Sequence, residues 1–269
     1  KKITRSTRAI QVVHIAGHVA EMDEINEVAL FHGIPVIEDA AHALESMYKG
    51  RKTGSLGTIG AFSLYPTKSI TCGEGGMLVT GSSTLADIAR TLSFNGIDRD
   101  AWKRYGTEGY KHWEVVMPGY KYNMPDVLAA IGICQLKKVW KHWELRKKYF
   151  EMYDAAFKDV PEIRPLTKKS YVFHAYHLYI IVLDLDRLTV DRDAIMNSIQ
   201  AENVGVGVHF RALHLQQGYK FLGYETGDLP NAEYASDRII SLPLYPAMTV
   251  EDVDYVIEVV KKVITRYKK

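Results

Sequence analysis

The chain has 269 residues, of which 47% are hydrophobic and 25% charged, the ordinary mix of a soluble globular protein. At about 150 residues per domain this length implies one large domain or two modest ones, enough to bury a core without disulfides or a metal. The 34 Lys and Arg against 32 Asp and Glu leave a formal net charge of +2, which excludes a strongly basic surface for nonspecific nucleic-acid binding.

Two cysteines, Cys72 and Cys134, allow at most one bridge. That is no secreted disulfide framework, and a cytoplasmic location is expected. No run of about 18 apolar residues occurs, so no membrane span is expected. The start, Lys1-Lys2-Ile3-Thr4-Arg5, lacks a Met and has no apolar signal core behind it. It reads as the middle of a longer chain.

The first half alternates strand and helix patterns. Ala9 to His14 is a short apolar run, and Glu21 to His32 is helical with Met22, Ile25, Val28 and Ala29 on one face. Gly33 suits the C-terminal cap of that helix. Ile34 to Ile37 reads as a buried strand ending at Glu38-Asp39, Ala61 to Leu64 and Met77 to Thr80 as two more, and Thr84 to Ser93 as a helix. This alternation argues for an α/β domain with a parallel or mixed sheet.

Asn123-Met124-Pro125-Asp126 carries the signals of a helix start: a capping Asn, then Pro and an acid in the first turn. Val127 to about Lys158 is helical, as one helix or as two with a break near Lys141. Further on, Tyr176 to Leu183 and Val204 to Phe210 read as strands and Asp191 to Asn203 as a helix. Thr249-Val250-Glu251-Asp252 is a capping box opening a last helix with Val253, Val256, Ile257, Val260 and Ile264 inward. The expected organisation is a large domain over 1–125, a helical connection over 126–158 and a small α/β domain over 159–269.

The informative chemistry lies in Phe62 to Gly76. Lys68 follows an apolar strand in a loop of small and turn-forming residues. A lone loop lysine is usually a solvated charge, but one held between core strands is partly desolvated, which lowers its pKa. Such an amine can form a Schiff base with an aldehyde. Glu38-Asp39-Ala40-Ala41-His42 stands at the carboxyl end of a strand, where open α/β sheets bind ligands. Asp39 alone could equally cap a following helix. Together, Asp39 and Lys68 suit pyridoxal phosphate, which needs a Lys Schiff base and an acid on its pyridinium nitrogen. Gly73-Glu74-Gly75-Gly76 lacks the Lys-Ser/Thr of a phosphate loop, and its glycines suit a tight turn beside the cofactor. Cys72 reads as a small buried thiol.

These segments resemble the DegT/StrS family of pyridoxal-phosphate-dependent nucleotide-sugar aminotransferases. The likeness is carried by Val36 to Ala43, Tyr48 to Arg51, Gly54 to Gly57 and the lysine segment. It continues through Gly119 to Asn123, His177 to Tyr179, Gly207 to Phe210 and Ser241 to Pro246. A closer likeness, to the aminotransferases that make UDP-4-amino-4-deoxy-L-arabinose, rests on Asn95 to Ala101 and His209 to His214. The resemblance implies the aspartate-aminotransferase type I fold, with an N-terminal part of the large domain absent.

It also implies roles. Lys68 matches the lysine that forms the internal aldimine and Asp39 the acid on the pyridine nitrogen. His42 matches the residue beside the cofactor ring, Ser63 a hydroxyl donor to its phosphate, and Asn123 an Asn reaching the phosphate of the neighbouring subunit in a homodimer. His209, Phe210, His214 and, on the lysine loop, Tyr65 match the region lining the substrate. The implied partners are L-glutamate and a nucleotide-linked keto sugar, with no nucleic acid, membrane or metal. The bland readings are a strand-end hydroxyl for Ser63, a helix cap for Asn123, a satisfied core imidazole for His209 and packing for Tyr65. Other readings are a sugar dehydratase of the same fold, against which Lys at position 68 speaks, a regulatory or binding protein, and a cofactor-free homologue.

Overall fold

The computed structural model describes residues 2–97 and 113–269. Residues 98–101 of the Asn95 to Ala101 stretch lie outside them. The chain divides into two units, the first running to Val139 and adding Ser170–Ala175, the second holding Trp140–Lys169 and Tyr176–Lys269.

The first unit is built on β1 (Ile10–Val13), α1 (Met22–His32), β2 (Val36–Asp39), the hairpin β3 (Met47–Tyr48) and β4 (Arg51–Lys52), β5 (Ile59–Ser63), β6 (Gly76–Val79), α2 (Ser83–Ser93) and α3 (Asp126–Leu136). Its four-stranded sheet has the order β1-β2-β5-β6. Strands β1, β2 and β5 run parallel, with Val13 opposite Asp39 and Asp39 opposite Ala61, while β6 runs antiparallel to β5. This is the mixed sheet expected from the alternating pattern. A further strand, β8 (Val172–Phe173), returns to pair with β3.

Helix α1 ends as its sequence implies. Gly33 takes φ +65 at the C-cap and its N–H bonds the Ala29 and Leu30 carbonyls. Met22 and Ala29 are buried, whereas Val28, expected on the same face, is 47% exposed. The inward stripe is narrower than the periodicity suggests, and neighbouring Leu30 and Phe31 also face out. The loop from Gly54 to Gly57 lies directly against β2 and β5. A Cβ on Gly60 would come within 2.3 Å of the Gly54 Cα, and Gly54 itself has φ +84. Only glycine permits both the close approach and the left-handed turn.

In the second unit, α4 (Val139–Phe157), β7 (Ile163–Pro165), β9 (Tyr179–Leu183), α5 (Arg192–Gln200), α6 (Pro230–Arg238), β10 (Ile239–Leu242) and α7 (Val250–Tyr267) surround an antiparallel sheet of order β10-β9-β7. All five residues of β9 are buried. Tyr153, Phe157, Tyr179, Ile181, Ile195, Ile240 and Val260 form the centre of its core. The capping box is present in full: the Asp252 N–H donates to the Thr249 hydroxyl and the Thr249 N–H to the Asp252 carboxylate.

Three local expectations differ. The helical run breaks at Lys137-Lys138, slightly before Lys141, giving α3 and α4. Asn123 caps no helix, since α3 begins at Asp126 with Pro125 in the capping position. Val204 to Phe210 forms no regular strand and pairs only through a Gly207–Ser241 bridge. Gly205 and Gly207 leave one face of that segment without side chains, which weakens a strand.

Removal of the α7 cap by Thr249→Ala should lower stability by about 1 kcal/mol, read as a reduced urea midpoint with an unchanged slope. An unaltered midpoint would show the cap to be idle.

Candidate active site

Parallel pairing brings the carboxyl ends of β1, β2 and β5 to one edge of the sheet, the edge at which such sheets bind ligands. Asp39 closes β2 and Ser63 closes β5. No helix follows Asp39, so it does not act as a helix cap. Its Oδ1 accepts the Ala41 N–H at 3.1 Å, a tight side-chain turn that leaves the carboxylate half-buried at the strand end.

The lysine loop starts where β5 stops. Ser63 Oγ accepts the Tyr65 N–H at 3.3 Å, and the Tyr65 carbonyl accepts the Lys68 N–H at 3.0 Å. Beyond the lysine, Ser69 and Ile70 are buried, and Leu64 is bracketed by backbone bonds to Cys72 and Gly75. Cys72 is a buried free thiol whose Sγ lies 3.3 Å from the Glu74 carbonyl, and Gly73 turns with φ +91. Lys68 is half-buried. Desolvation holds its amine below the ordinary lysine range, and the nearby Asp39 carboxylate acts in the opposite sense. The Asp39 charge is thus felt at the Lys68 amine.

His42 is buried, and its Nδ1 accepts the Ala16 N–H at 3.3 Å. That bond places the proton of the neutral ring on Nε2. Tyr65 is 45% exposed on the lysine loop, and Asn123 is exposed. In the second unit, His209 is half-buried with Nδ1 2.8 Å from the Ser241 hydroxyl. Phe210 is 62% exposed. His214 is buried, with Nε2 3.0 Å from a Glu233 carboxylate oxygen. Glu233 is in turn held below the usual carboxylate range, first by the Gly227 N–H. The sheet edge therefore gathers Asp39, Ser63 and Lys68, whereas His209 and His214 are each engaged by a partner inside their own unit.

One pair was not evident as a functional feature of the sequence. Glu38 is 0% exposed, and so is His14. His14 Nδ1 accepts the Ala20 N–H at 3.3 Å, so its Nε2 is the N–H that meets Glu38 Oε2 at 3.1 Å. The Gly54 N–H donates to Oε2 at 2.8 Å, and the Leu56 and Gly57 N–H groups donate to Oε1 at 2.7 Å each. Burial alone would raise the Glu38 pKa, but the His14 bond and the three backbone N–H groups hold it below the usual range. A signal was available: Glu38 shares its strand face with buried Val36, and a charge on an inward position demands partners.

A carboxylate and a hydroxyl end the neighbouring strands β2 and β5, an amine with a lowered pKa stands on the loop that follows β5, and a buried imidazole lies in the same unit. This donor set fits a pyridine ring bearing an aldehyde and a phosphate. Lys68 would take the aldehyde carbon, Asp39 the ring nitrogen and Ser63 the phosphate.

Because the folded Glu38 carboxyl is depressed, its stabilisation is complete above the ordinary carboxylate range and is lost as pH falls from there through the lower folded value. Glu38→Ala should cost about 3–5 kcal/mol at neutral pH and flatten the acid limb of the stability curve. A neutral-pH melting temperature equal to that of the parent would show the network to be dispensable.

The sequence pattern of the DegT/DnrJ/EryC1/StrS aminotransferase family matches residues 1–261. The chain is 46% identical over 264 residues to the protein MJ1066 of Methanocaldococcus jannaschii, covering 98% of this chain and 68% of that one. It is 41% identical over 264 residues to the spore coat polysaccharide biosynthesis protein SpsC of Bacillus subtilis, covering 97% and 68%. Its fold matches that of Helicobacter pylori PseC, an aminotransferase of pseudoaminic acid biosynthesis, with a TM-score of 0.89 at 27% identity, covering 99% of this chain and 69% of that one. Aminotransferases of this family depend on pyridoxal phosphate, a cofactor that the donor set fits. The chain belongs to the DegT/DnrJ/EryC1/StrS family of sugar aminotransferases and has its type I fold.

Proposed function

We propose that this chain moves an amino group from L-glutamate to the keto group of a nucleotide-linked sugar, a UDP-4-keto sugar, in two successive half-reactions. What supports the reading is the half-buried Lys68 amine on the loop that follows β5, desolvated and under the influence of the Asp39 charge at the carboxyl end of β2. Pyridoxal phosphate supplies the electron sink that makes removal of a proton from an amino-bearing carbon possible.

The chain's own residues supply the rest. Lys68 would hold the cofactor through Nζ and, once displaced by the donor amine, take up and return a proton at that atom. Its lowered pKa favours the neutral amine that both tasks need. Asp39 would keep the ring nitrogen protonated, and its turn with Ala41 holds the carboxylate in place for that task. His42 would lie against the ring, its orientation held by the Ala16 N–H. Ser63 would donate to the phosphate. Asn123, exposed and free of any capping duty, suits a contact with a neighbouring subunit, and a homodimer is part of the reading. His209, Phe210, His214 and Tyr65 would border the sugar nucleotide. The names of SpsC and PseC favour a role in cell-surface polysaccharide synthesis, carried out in the cytoplasm.

Incubation with a panel of nucleotide 4-keto and 3-keto sugars plus glutamate, read as 2-oxoglutarate release, tests the substrate. Release with a UDP-4-keto sugar alone is expected; release with none of the panel would sink it. Lys68→Met should abolish turnover while leaving the melting temperature unchanged or higher, because removal of a half-buried amine relieves desolvation. Retained turnover would remove the lysine from its role.

A further inference from the structure

A second buried carboxylate, Glu45, is 1% exposed and has no part in the chemistry above. Its Oε2 accepts the Ser69 hydroxyl at 3.0 Å in the interior. Ser69, also buried, is the residue immediately after Lys68.

The segment that carries Glu45 is fastened independently of the lysine loop. The Thr53 hydroxyl donates to the Ala43 carbonyl at 2.5 Å and to the Ser46 carbonyl at 3.3 Å. The Ser46 hydroxyl donates to the Gly17 carbonyl at 2.7 Å, and the Lys52 ammonium to the Glu45 carbonyl at 3.1 Å. Glu45 therefore stands in a fixed frame. The lysine loop is different: Tyr65, Pro66 and Thr67 are exposed. On that side Lys68 is tied by its own N–H to the Tyr65 carbonyl.

We propose that Glu45 is a positioning residue for the cofactor lysine: by accepting the Ser69 hydroxyl it anchors the backbone directly after Lys68 to the Ala43–Thr53 frame and so aims the amine. This rests on the reading of Lys68 as the cofactor amine. The bond from the Ser69 hydroxyl is the contact through which Glu45 acts on the lysine loop. A displacement of about 1 Å at a reacting group can cost about 100-fold in rate, and a charge-assisted hydrogen bond in the interior is suited to prevent it.

The test adds pyridoxal phosphate to cofactor-free protein, traps the attached lysine with borohydride at intervals and locates the label by peptide mass. In the parent protein the label falls on Lys68. In Glu45→Leu and in Ser69→Ala the labelling rate falls about tenfold or more, and the double variant falls no further, as for two ends of one bond. Glu45→Gln keeps an acceptor oxygen and recovers to within about threefold of the parent. A purely structural role would lower the melting temperature without this rescue pattern. Parent-like labelling in Ser69→Ala and Glu45→Leu overturns the proposal, and so does Glu45→Gln as slow as Ser69→Ala. Should Glu45→Leu fail to fold, Ser69→Ala and Glu45→Gln carry the decision. Label on another lysine in the parent would instead overturn the assignment of Lys68, a distinct result.

Discussion

The Glu38 carboxylate is the constraint on which the first unit depends. It is wholly buried, and burying an ion costs several kcal/mol unless its partners are in place. Those partners come from separate stretches: His14 at the end of β1, and the N–H groups of Gly54, Leu56 and Gly57 ahead of β5. Glu38 is satisfied only when β1, β2 and this loop have reached their final positions. Gly54 and Gly60 let the loop come close enough to deliver those N–H groups.

Side chains alternate along a strand, so the order that secures Glu38 inward turns the next residue, Asp39, to the opposite face, at the carboxyl end of β2. The register then places Asp39 beside Ala61, two residues before Ser63 closes β5. The lysine loop starts there. Lys68 sits between two opposed influences, desolvation that disfavours its charge and the Asp39 carboxylate that favours it. That balance suits an amine that must be neutral to react and yet be held near an acid.

The second unit follows a different logic. Its core is continuous and rich in aromatic side chains, with Tyr153, Phe157 and Tyr179 packed together. The Tyr153 hydroxyl donates to the Pro243 carbonyl and that of Tyr179 to Asp154, so both rings are buried without an orphaned polar group. Around it, His209 and His214 are ordered by Ser241 and Glu233. These bonds hold the imidazoles in defined orientations.

The long periodic elements and the strands that end at Asp39 and near Ser63 could be read from the sequence, because local hydrophobic pattern and capping chemistry determine them. So could the pairing of an acid with a lysine suited to one cofactor. The short pairings β3–β4 and β3–β8 carry too few residues to show a period, and β10 lies hidden behind the helical pattern that precedes it. Val204 to Phe210 alternates like a strand, but its glycines undo the pairing. Glu38, its partner His14 and Glu45 became visible as structural groups only in three dimensions. A buried carboxylate is identified by its donors, and these lie 16 to 24 residues away along the chain. Local sequence sets which groups can react; the tertiary fold decides which are dry, paired and aimed, because desolvation and charge act through space between residues remote in sequence.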